Sequence, residues 1–144
     1  MLRFAYPARL RSEPEGGFTV TFPDLPEAIT HGSDKADALI QAVDCLDEAI
    51  ANRIAMKLGI PPPGQAKRGC EAVLPSALMA AKAALSMAVK IAGVSNLELA
   101  RRLGCDEKEV RRILDPRHTT KISRIDEALG VLGKRLIVAM DDAA

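Results

Sequence analysis

The sequence predicts an α+β protein: a sheet-and-helix half in the order β-β-β-α-β, then an all-α half. Three observations carry this. Apolar residues alternate with period two in two short segments near the start. One long helical period follows them. Beyond the prolines of "IPPPGQAKRG", Ile60 to Gly69, the pattern is mainly helical, with start and stop signals set close together.

The strands come first. In "RFAYPARL", Phe4, Tyr6, Ala8 and Leu10 share one face, and Arg3 and Arg9 share the other. Pro7 has no N–H to give a ladder, so this strand is expected at a sheet edge or with a bulge. "SEPEGG" supplies a turn, and "FTVTF" then places Phe18, Val20 and Phe22 inward, which makes a hairpin. "PDLPE" reads as a rigid connection and "AITHG" as a third strand. Asp34 can cap the next helix, with Asp37 in its first turn, where the helix dipole favours a carboxylate. That helix is expected to run to about Leu58 on an apolar stripe of Leu39, Val43, Leu46, Ile50 and Ile54. "CEAVLP" offers a fourth strand. The expected boundaries are 1–64 for the first domain, 65–74 for the linker and fourth strand, and 75–144 for the second domain.

"PSALMAAKAALSMAVKIAG" is a strong helix that Gly93 ends. Ser95 and Glu98 form S-x-x-E, a capping box for the next one. Leu99, Ala100 and Leu103 face inward there, and Gly104 can take the left-handed position that stops it. Asp106 and Glu109 repeat the arrangement two residues later, with Val110, Ile113 and Leu114 inside. Ser123 with Asp126 is expected to open a last helix lined by Ile122, Ile125, Ala128, Leu129 and Leu132. "KRLIVAM", Lys134 to Met140, is β-rich; it either packs on its own half or pairs with a second copy, and pairing is the favoured expectation.

Composition narrows the function. Three widely separated cysteines and two histidines suggest neither a disulfide framework nor a metal site, and no cofactor motif is present. No apolar run approaches a membrane span, and the start lacks the apolar core of a signal peptide, so a cytoplasmic protein without a membrane partner is expected. Asp24, Asp34, Asp37 and Asp44 could gather around magnesium, and His31 could act as a lone base. Capping and turn roles account for these residues more simply, so no enzyme is expected. The net charge of +1 divides unevenly, at −2 for residues 1–74 and +3 for 75–144.

Helix, glycine turn, helix is the helix-turn-helix layout, whose second member enters a major groove. Lys108, Arg111, Arg112, Arg117, His118, Lys121 and Arg124 fall on that second member and after it, where such a motif meets phosphates. The competing reading is a plain bundle whose charges are satisfied as i,i+4 pairs, Glu107–Arg111 and Arg111–Asp115.

"GGFTVTFPDLPEAITHGSDKADALIQAVDCLDEAI" resembles the N-terminal domain of HicB-type antitoxins. Gly17-Phe18, Phe22 to Pro26, Thr30, Gly32, Asp34 and Ala38 stand at that family's recurrent places, while Glu27 replaces a usual glycine. The resemblance implies a partial ribonuclease-H-like fold that blocks a small HicA-type, mRNA-cleaving toxin without catalysis. "ELARRLGCDEKEVRRILDPRHTTKISRIDEALGVLG" is similar to the lambda-repressor-like helix-turn-helix in one branch of the family. By that match Asn96 lies near the DNA backbone and Glu107, Lys108 and Arg111 sit where base edges are read. "LDPRH" departs from the usual "E-x-G" after the second helix of the motif. The expectation is an antitoxin that neutralises its toxin and represses its own operon as a dimer or tetramer on operator DNA. The alternatives are a stand-alone transcription factor with a ligand-sensing first domain, and a small catalytic domain fused to a DNA reader.

Overall fold

The period-two segments become the middle of a sheet. In the computed structural model, which describes residues 1–142, β1 (Tyr6–Ser12) and β2 (Phe18–Phe22) form an antiparallel hairpin that registers Leu10 opposite Val20. β3 (Leu25–Gly32) pairs with β2, and β4 (Cys70–Val73) returns beside β1. The order is β3-β2-β1-β4, antiparallel throughout. With α1 (Lys35–Ala55), the β-β-β-α-β half is as expected.

Two local expectations are corrected. β1 is an inner strand, not an edge. Pro7 is tolerated because the β2 ladder covers only Arg9 to Ser12, so at Pro7 the strand is paired on the β4 side alone. The third strand also begins earlier, at Leu25, and takes in Pro26. Pro26 lies on an edge strand and beside a register shift at Thr21/Phe22, where a missing N–H costs the ladder little.

α1 is capped by the Asp34 carboxylate, which accepts from the Asp37 amide at 2.8 Å. Its fully buried face is narrower and smaller than the expected stripe. Ala38, Ala42, Leu46, Ala49 and Ile50 lie against the sheet, and Leu39, Val43 and Ile54 pack only partly. Gly32 explains the alanines. A Cβ built on Gly32 would stand 2.2 Å from the Ala38 backbone nitrogen, so only glycine lets the helix start this close to β3.

The proline segment is fastened to the first half. Tyr6 donates from its hydroxyl to the Pro61 carbonyl at 2.7 Å, Arg53 to the Gly59 carbonyl at 2.8 Å, and the Gly64 amide to Asp24 at 2.8 Å. Ile60 is buried in the same core. Burial, with the Asp24 carboxylate nearby, pushes the Tyr6 hydroxyl up to about 12. Glu27, the residue at the usual glycine place, takes the Arg53 guanidinium in a two-pronged pair.

The second half holds α2 (Ala77–Ala92), α3 (Asn96–Leu103), α4 (Glu107–Leu114) and α5 (Ile122–Gly130). α2 serves both halves. Ala83, with Met79 and Met87, packs on the first core, while Ala81, Leu85 and Ala88 pack on the second with Ile113, Ile125 and Leu129. The start signal expected for the last helix is misplaced. α5 begins at Ile122, Ser123 lies inside it, and no side chain caps it. Asp126 instead accepts from the Leu136 amide at 2.9 Å. Lys134 to Met140 form no strand within one chain. Leu136 packs on the second core, and Ile137, Val138 and Met140 stay exposed.

Candidate functional site

The site is built around α4, and α4 is set by local chemistry at both ends. The Ser95 hydroxyl accepts from the Glu98 amide at 3.1 Å and starts α3. Gly104, at φ +68, ends α3 in the left-handed region that favours glycine. The Asp106 carboxylate then accepts from the Glu109 amide at 2.8 Å and starts α4. Leu99, Ala100 and Val110 close the small core between the two helices. The connection is therefore short and rigid.

The C-terminal end of α4 rests on Lys82, a residue outside the expected site. Lys82 is buried to 2% exposure, and its ammonium donates to the Arg112 carbonyl at 3.2 Å, the Ile113 carbonyl at 2.7 Å and the Thr120 hydroxyl at 2.6 Å. A cation on the last carbonyls of a helix satisfies its unpaired acceptors and its dipole together. Burial lowers the Lys82 ammonium to about 8, opposed by the Asp115 carboxylate. Thr120 also stands 2.8 Å from His118 Nδ1, so Lys82 organises the loop after α4 as well. The signal was available: Lys82 is the one charge between Ala77 and Val89.

The arginines divide into occupied and free. Arg101 and Arg102 both bind Glu98, at 2.6 and 3.0 Å, and hold its carboxyl down at about 2. That use of Glu98 replaces the reciprocal half of the expected capping box. Arg124 is held between Glu109 at 2.9 Å and Glu127 at 2.6 Å. Arg117 reaches back to α1, with Glu48 at 2.7 Å and Asn52 at 3.3 Å. Glu107, Lys108, Arg111 and Arg112 are exposed, and among the described residues their side chains make no ion pair. The i,i+4 pairs expected of a plain bundle, Glu107–Arg111 and Arg111–Asp115, are not formed. Asp115 instead accepts from the Arg117 amide at 2.9 Å.

Two hollows flank α4. Asn96 and Arg111 line one, of about 500 Å³, together with residues of α1 and α2. Arg112, His118 and Lys121 line the other, of about 450 Å³. Glu107 and Lys108 stand exposed on the first turn of α4 and line neither hollow. Thus seven of the eight residues expected to meet DNA lie on or beside α4, and Arg117 is turned away to α1. Three of the four carboxylates considered for magnesium serve the backbone: Asp24 holds Gly64, Asp34 caps α1, and Asp37 accepts from Ser33 at 2.8 Å, while Asp44 stands exposed on α1. Cys45, Cys70 and Cys105 are half-buried free thiols. Among the described residues, no single helix is long and apolar enough to cross a membrane.

The chain is similar to known proteins over most of its length. A family model described as "HicB_like antitoxin of bacterial toxin-antitoxin system" matches residues 5–84. The chain is 35% identical over 136 residues to "Antitoxin HicB 1" of Photorhabdus laumondii, covering 94% of this chain and 86% of that protein. It is 34% identical to "Antitoxin HicB" of Escherichia coli, covering 94% and 98%. It is 33% identical to "Antitoxin HicB" of Pseudomonas fluorescens, covering 97% and 96%.

Proposed function

Because the chain belongs to the HicB-like antitoxin family of bacterial toxin–antitoxin systems, we propose that it neutralises a HicA-type, mRNA-cleaving toxin and represses its own operon in the cytoplasm. In this reading the first half is a ribonuclease-H-like scaffold used for contact, not catalysis. The second half is a helix-turn-helix reader in which α3 lies along the backbone and α4 enters the major groove.

The observation that carries the DNA reading is the division of charge. The arginines of α3 and α5 are neutralised by carboxylates, while Lys108, Arg111 and Arg112 of α4 are left exposed without ion pairs among the described residues. Three cations gathered on one short helix and held by no carboxylate are available as donors to base edges and phosphates. A second copy is part of the reading, because one such motif contacts few bases. The exposed Ile137, Val138 and Met140 offer the apolar surface for it.

Co-expression with the toxin encoded beside it should restore growth, and footprinting should show protection of an inverted repeat at its own promoter. Growth arrest despite a folded, abundant chain would remove the antitoxin reading. Absence of any protected site would remove the repressor reading.

A further inference from the structure

The hollow beside Asn96 and Arg111 is not made by the second half alone. Its other walls are the end of α1 and the outer side of α2. Two more lysines line it, Lys57 just past α1 and Lys90 on the last turn of α2. Both are exposed and, like Arg111, make no ion pair among the described residues. Three unpaired cations therefore share one open cleft of about 500 Å³ with a single carboxylate, Asp115, whose oxygen already accepts from the Arg117 amide.

Lys57 carries a second mark. It is the one non-glycine residue with positive φ among the described residues, at φ +56. The position follows the α1 cap, where the Lys57 amide donates to the Ile54 carbonyl at 3.1 Å and the Leu58 amide to the Arg53 carbonyl at 2.8 Å. That is the helix stop where glycine is the comfortable residue. A strained backbone position held by a lysine calls for a use of its ammonium.

We propose that duplex DNA held by α4 continues across this cleft, so that Lys57 and Lys90 grip phosphates flanking the bases that α4 reads. The inference rests on the DNA-binding reading above and extends it to the toxin-binding half. Charge complementarity and continuity with Asn96 and Arg111 select the occupant: a polyanion passing α4 meets these lysines next.

The test uses the full chain and random-sequence duplex DNA, because phosphate contacts are blind to sequence. Wild type, Lys57→Gly, Lys90→Gln and the double variant are titrated at several salt concentrations. Each substitution should reduce the slope of log affinity against log salt by about one unit. Lys57→Gly should unfold at the same denaturant concentration as wild type or a higher one, so its loss of binding cannot come from misfolding. A double variant with the wild-type slope overturns the inference. So does a site for free anions only, seen as stabilisation by inorganic phosphate that Lys57→Gly abolishes while the DNA slope stays unchanged. If wild type itself leaves duplex DNA unbound at low salt, the underlying DNA reading fails and this inference falls with it.

Discussion

Arg117 and Glu48 join the two halves across 69 positions of sequence, guanidinium to carboxylate at 2.7 Å, with Asn52 alongside at 3.3 Å. The pairing lowers the Glu48 carboxyl and raises the Arg117 guanidinium, each through the hydrogen bond to the other. Both side chains are more than half exposed, so solvent screens the pair and it adds little to stability. A weakly held cation beside the α4 loop can be exchanged for a phosphate. Glu48→Gln should therefore strengthen binding to random duplex, and Arg117→Ala should weaken operator and random DNA equally, lowering the salt slope by about one unit. If both variants bind DNA as wild type does, Arg117 is a tie between the halves and nothing more.

Lys108 tests base reading. It stands exposed on the first turn of α4, and its ammonium can donate to guanine O6 or N7. Lys108→Ala should cost roughly 1–3 kcal/mol on the operator and relax preference at one base position. A uniform loss over all sequences would mean that α4 lies along the backbone instead of in the groove.

The two-faced packing of α2 sets the smallest working antitoxin fragment. A chain of residues 1–64 lacks β4 and the cover that Met79, Ala83 and Met87 give the first core. A chain of residues 1–92 keeps them. The longer fragment should show a cooperative thermal transition and neutralise the toxin; the shorter should melt earlier or without cooperativity. Equal melting of the two would show that neither β4 nor the cover from α2 stabilises the first half.

Lys82 gives a pH signature. Its ammonium falls from the ordinary 10.5 to about 8 in the fold, because burial disfavours the charge. Between these values the unfolded chain binds more protons than the folded one, so this group's contribution to stability rises with pH across that window. Lys82→Met leaves the Arg112 and Ile113 carbonyls and the Thr120 hydroxyl without the donor they share, at a cost of roughly 1–3 kcal/mol near neutral pH. Denaturant unfolding of both proteins should show the gap between them widening from pH 8 to 10.5. A constant gap would mean that the Lys82 ammonium keeps its ordinary value.

Truncation after Gly133 tests the second copy. Loss of Ile137, Val138 and Met140 should yield a monomer by light scattering, with operator affinity falling alongside. A truncated chain that stays dimeric would place the interface elsewhere.

The helix boundaries of the second half were legible because capping is local: Ser95, Gly104 and Asp106 act within four residues of themselves. Ser123 misled for the same reason. S-x-x-D is a local signal, but the chain is already turned into a helix at Ile122 by a loop that Thr120 and Lys82 hold from elsewhere. Large residues mark the apolar stripe of α1 in the sequence, whereas the sheet lies so close at Gly32 that alanines carry much of the contact. The expected DNA-facing residues are exposed around α4, except that Asn96 is half-buried and Arg117 is taken by α1. That exception, like Lys57 and Lys90, depends on how the two halves meet, and no short window of sequence records it.

A helix shared by two cores also shares their fate. When either core opens, one side of α2 loses its cover, and Ala83 or Leu85 is offered to solvent and to proteases along with it. On the proposed function, cellular clearance of the chain would thus seldom leave a toxin blocker without its reader, or a reader without its blocker. Toxin release and promoter release would then keep one clock.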